Sequence, residues 1–94
     1  MNKNRTEDPN IASERIDVLE KGEIFVFGSN LEGRHMGGAA RAAHKKFGAE
    51  WGVGVGLTGR SYAIPTMQGG VETIRPYVDQ FINFASRNPE MKFL

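Results

Sequence analysis

All twelve glycines of this chain fall between Gly22 and Gly70, with none in the first stretch of sequence and none in the last. The permissive backbone is therefore concentrated in the middle half, and a ligand that needs close backbone approach is to be sought there. With 94 residues in all, the chain has one domain as its ceiling. A domain of that size hides only about 60 to 65% of the surface its unfolded chain exposes, enough for one small core.

Twelve Lys and Arg against eleven Asp and Glu leave a formal charge of +1, so nothing global draws the chain to nucleic acid or to an anionic membrane. The absence of Cys excludes a disulfide framework, thiolate zinc and a Cys nucleophile. Two His without clustered carboxylates argue against a dedicated metal cage, and neither a metal nor a cofactor is expected. No apolar run is long enough to span a bilayer, and the opening MNKNRTEDPN lacks an apolar signal region, so a cytoplasmic location is the default expectation.

Residues 1–15 are polar with scattered apolar positions and read as a mobile tail; 16–94 read as the single domain. Glu23 to Gly28 is a short β-branched and aromatic run ending at Gly-Ser-Asn, the pattern of a buried strand. Ile16 to Leu19 is a candidate edge strand before it. Residues 38–47, rich in Ala, predict a helix capped at Gly48 that buries Ala39, Ala42, Ala43 and Phe47. Trp51 to Gly59 alternates Gly with Val and Leu, and Ser61 to Ile64 has strand character before Pro65. A second helix is predicted over 73–87, with Ile74, Tyr77, Val78, Phe81, Ile82 and Ala85 as its apolar stripe and Pro76 in its first turn. Lys92-Phe93-Leu94 begins another apolar run that is expected to be too short for a useful strand. This order of elements is that of an α/β domain.

The loop from Gly28 to Gly38 joins the buried strand to the first helix. The leading N–H groups of a helix lack internal partners and lie at the positive end of its dipole, so an anion can dock there. Gly37 and Gly38 put no side chain in the way. Open α/β sheets also place ligands beyond the C-terminal ends of their strands. Two motif matches fail. Gly28 to His35 spells G-x-x-x-x-G-R-H, with Arg and His where a nucleotide-hydrolysing loop needs Lys and Ser or Thr. Gly54 to Gly59 spells G-x-G-x-x-G but leads into a strand-like segment instead of the helix that fingerprint needs. Arg34, Arg41, Lys45 and Lys46 lie between Glu32 and Glu50 with no acid among them; Arg34 and His35 are placed to meet an anion, and the other three to form a solvated face.

The run Phe25-Val26-Phe27-Gly28-Ser29-Asn30, followed by Gly33, His35, Gly37-Gly38-Ala39-Ala40, His44 and Gly48, resembles the macro-domain signature. With Ser61-Tyr62-Ala63-Ile64-Pro65-Thr66 it is similar above all to an uncharacterised bacterial and phage-related branch of macro-like proteins, and the likeness covers about residues 24 to 66. The resemblance implies a three-layer α/β/α domain that binds ADP-ribose or a related NAD-derived nucleotide, with hydrolysis of ADP-ribosyl linkages in some members. It implies that Asn30 contacts the distal ribose and that Gly37 and Gly38 wrap the pyrophosphate and that ribose; if hydrolysis occurs, the lack of a side-chain nucleophile and base pair points to a water held between substrate and Asn30. Gly28, Ser29, Gly33, Arg34 and His35 complete the expected site, and Asp17 is the nearest candidate for an acidic residue on adenine.

The chain departs from the family pattern at Arg34-His35-Met36, and at Ala40, where some hydrolases carry an acid. The family's second phosphate loop follows a strand that would begin near Leu94, so the domain is expected to be incomplete at that end. A truncated polypeptide, a reduced branch and a second chain that completes the sheet all stay open. The alternative function is a non-catalytic nucleic-acid or protein interaction domain using the basic helix over 38–47. An exposed sheet edge beside Phe93 would favour a dimer.

Overall fold

The computed structural model describes residues 18–94. The expected tail, the start of the Ile16–Leu19 candidate strand and Asp17 lie outside the described residues.

The described chain is a small α/β domain of four strands and two helices: β1 (Glu23–Ser29), α1 (Gly38–Lys46), β2 (Gly56–Thr58), β3 (Ser61–Pro65), α2 (Val71–Arg87) and β4 (Lys92–Phe93). The sheet is mixed, in the order β2-β3-β1-β4. β1 pairs in parallel with β3, Phe25 opposite Ser61 and Ser29 opposite Pro65, and in parallel with β4, Glu23 opposite Lys92. β2 pairs antiparallel to β3. The G-x-G-x-x-G run thus ends in a hairpin whose turn is Gly59-Arg60, which is why no helix follows it.

Side chains alternate across β1 and β3, and each set meets a different helix. Phe25, Phe27 and Ala63 pack with Ala43 of α1 and with Phe47 just past its end, together with Leu19 and Ala49. Tyr62, on the other set, meets Phe81 and Phe84 of α2 at ring-centroid distances of 5.0 and 5.1 Å, and Phe93 of β4 meets Phe81 at 5.1 Å.

Four expectations are corrected. Val18 and Leu19 form no strand, because β4 occupies the place beside β1; Leu19 packs into the core instead. The terminal apolar run is as short as expected, a strand of two residues that pairs with β1. In α1, Ala39 is exposed and Ala40 packs against the core in its place, a shift of one residue around the helix. Helix α2 starts at Val71, so Pro76 lies within it and not in its first turn, and the carbonyl of Glu72 loses its usual N–H partner. Phe84, outside the expected stripe, joins Tyr62 and Phe93, while Ile82 is exposed. Gly48 adopts φ +80, as a residue closing a helix does.

Candidate functional site at the end of the parallel strands

β1 and β3 run side by side and both end at the same rim, where the loop to α1 departs. A cleft of about 540 Å³ opens there, within the range of small-molecule sites. Its floor is Gly28, Ser29 and Asn30; Arg34 and Met36 come from the loop, Gly37 to Ala40 from the start of α1, and Met67 from the segment after β3.

The start of α1 is built to leave donors open. Gly37 precedes the helix in extended conformation without a side-chain cap, and the first turn holds no acid. The first intrahelical bond is Arg41 N–H to the Gly37 carbonyl, 3.2 Å. The N–H groups of Gly38, Ala39 and Ala40 therefore lack intrahelical acceptors, and these residues line the cleft. The helix dipole adds positive character at that end. Gly38 needs glycine because its φ is +59. Gly37 does not: its φ is ordinary, and an added Cβ would meet nothing. Its missing side chain leaves open space in the cleft.

Asn30, just past the end of β1, engages one residue with both amide atoms. Nδ2 donates to the Arg34 carbonyl at 3.0 Å and Oδ1 accepts the Arg34 N–H at 2.8 Å. A backbone N–H only donates and a carbonyl only accepts, so this pairing fixes which amide atom is oxygen. One N–H and one lone pair of Asn30 stay available to a ligand.

The loop over 30–35 is bound to a second loop over 49–54. Ser29 Oγ donates to the Gly54 carbonyl at 2.6 Å, Gly52 N–H donates to the Gly33 carbonyl at 3.0 Å, and His35 Nε2 donates to the Glu50 carbonyl at 3.0 Å. A Cβ on Gly54 would lie 2.1 Å from the Asn30 carbonyl oxygen, so the two backbones touch there.

Six of the expected site residues line the cleft: Gly28, Ser29, Asn30, Arg34, Gly37 and Gly38. Ser29 contributes backbone, since its hydroxyl is buried on Gly54. Gly33 shapes the loop from behind, buried against Gly52. His35 is the clear correction. It is 1% exposed, does not line the cleft, and stacks edge-on to Phe27 and Trp51. Burial and the bond to Glu50 take it out of reach of an anion in the cleft, and its Nδ1 has no partner among the described residues. Sequence reasoning missed Met36, Ala39, Ala40 and Met67 as lining residues. For Met67 the signal lay in Pro65-Thr66-Met67 at the end of a strand parallel to β1, where crevices form.

The described residues that line the cleft include no carboxylate and no His. No group of three metal-ligating side chains occurs among the described residues, and no described helix is long and apolar enough to cross a membrane. No family model, curated protein or solved structure matches this chain.

Proposed function

We propose that the chain binds ADP-ribose or a related NAD-derived nucleotide in the cleft at the end of β1, on a macro-like α/β/α framework. The observation that carries this reading is the uncapped start of α1, with three N–H groups and no acid in its first turn, facing a cleft that also holds Asn30 and Arg34. Anionic phosphate is the ligand group those features suit. The free N–H and lone pair of Asn30 suit a ribose hydroxyl beside it. The packing of α1 and α2 on opposite side-chain sets of the sheet is what a three-layer framework requires.

The reading is one of binding rather than turnover. Activation of a water needs a base within hydrogen-bond reach, and the described residues that line the cleft supply none.

Calorimetric titration with ADP-ribose tests the proposal, with AMP and ribose 5-phosphate as partial ligands. Saturable binding lost in Arg34→Glu and kept in Lys45→Glu is the expected result. A ligand at a hundred times its Kd should also stabilise the fold by about 2.7 kcal/mol. Absence of saturable heat with all three ligands overturns the reading. Binding lost only in Lys45→Glu moves the site to the basic face of α1.

A further inference from the structure

Two of the largest exposed apolar side chains of the described chain, Met36 and Met67, lie in the same cleft, and each is 68% exposed. Their backbones are held. Met36 N–H donates to the Arg34 carbonyl at 3.0 Å, and Arg34 is itself held by Asn30 at both backbone groups. Met67 sits between two ties to the end of β1: Thr66 N–H donates to the Ser29 carbonyl at 2.9 Å, and Gln68 Oε1 accepts the Leu31 N–H at 3.0 Å. The two long thioether side chains are thus mounted on fixed points and stand open to solvent. An exposed apolar side chain costs free energy in water that a packed ligand recovers. Methionine adapts to flat rings and makes favourable sulfur–aromatic contacts.

We infer that Met36 and Met67 form a clamp for the nucleobase of the bound nucleotide, one side chain on each side of the ring, while the phosphate sits at the start of α1. This inference rests on the nucleotide-binding reading above and adds to it the part of the ligand that confers preference. A ligand that fills both parts of the cleft joins an anion to a flat apolar group through a short polar link. A nucleoside phosphate has that form; a sugar phosphate or inorganic phosphate lacks the ring.

The test compares AMP with ribose 5-phosphate on the native chain and on Met36→Ala/Met67→Ala. Both side chains are exposed, so the double variant keeps the fold, which a thermal melt checks. The native chain should bind AMP at least tenfold more tightly than ribose 5-phosphate. In the double variant the two affinities should fall within twofold of each other, with ribose 5-phosphate unchanged, and Met36→Leu/Met67→Leu should restore most of the preference. The 13C-labelled methyl groups of Met36 and Met67 should show ring-current shifts with AMP and none with ribose 5-phosphate. If both ligands bind and the preference survives in the alanine variant, the clamp is wrong and the phosphate reading stands. If neither ligand nor ADP-ribose binds the native chain, both are wrong.

Discussion

Asn30 grips Arg34 by both of its backbone groups, the N–H at 2.8 Å and the carbonyl at 3.0 Å, and so closes the turn that carries the chain from β1 toward the start of α1. A side chain that sets the loop and still has one donor and one acceptor to spare would couple the local fold to the nucleotide proposed above. Loss of the ring of bonds should be felt in both.

Asn30→Ala removes two bonds to the backbone at a half-buried position and should cost about 1 to 2 kcal/mol of stability. Asn30→Asp keeps the acceptor for the Arg34 N–H, so it should recover part of that loss. It also adds a negative charge beside the anion, so nucleotide affinity should fall below that of the alanine variant. Denaturant melts and titrations on the same samples separate the two effects.

Gly37 and Gly38 are adjacent and should respond differently. Gly37→Ala meets open space at an ordinary φ, so stability should stay within about 0.5 kcal/mol of native while nucleotide affinity drops at least tenfold. Gly38→Ala places a side chain at φ +59 and should cost about 1 to 2 kcal/mol. Equal stability losses in the two variants would refute the assignment of Gly37 to the ligand.

Arg34 and His35 make a second adjacent pair with opposite roles. His35→Ala opens a cavity between Phe27 and Trp51 and should destabilise by about 3 kcal/mol. Arg34→Ala, at an exposed position, should change stability by less than about 0.5 kcal/mol and weaken anion binding. A thermal melt with and without ADP-ribose reads both.

Much of this was legible in the residues. The β-branched and aromatic run of β1, the Ala-rich α1 and the apolar stripe of α2 each carry their period in a few positions, and the cleft follows from a glycine loop between a strand and a helix. The face of each loop residue was not legible. His35 and Met36 are neighbours in a segment without regular period, and which of them turns inward is decided by the loop over 49–54, whose carbonyl at Glu50 takes the His35 ring. Met67 enters the cleft only because β3 lies parallel to β1 in that register, a pairing that local sequence does not encode. Helix α2 starts two residues before the position the sequence predicts, because Val71 and Glu72 carry no strong cap signal and Pro76 reads as a first-turn residue.

Burial raises the Tyr62 phenol above its ordinary value of 10.0. The fold therefore favours the protonated form. Its contribution is complete below the unfolded value and is lost as pH rises through the raised folded value. The native chain should lose stability more steeply than Tyr62→Phe on going above about pH 10, and the two should run parallel at neutral pH. Melting temperatures across pH 8 to 11.5 provide the comparison.

The close approach of Gly54 to the Asn30 carbonyl decides what could be moved into another scaffold. The loop over 28–38 looks like a continuous cassette, but Ser29, Gly33 and His35 are each fastened to residues of the loop over 49–54, and no side chain fits at Gly54. A graft of the first segment alone would carry its glycines and leave its mould behind. The transferable unit is the two loops together, a discontinuous epitope of backbone in which each half is cast against the other.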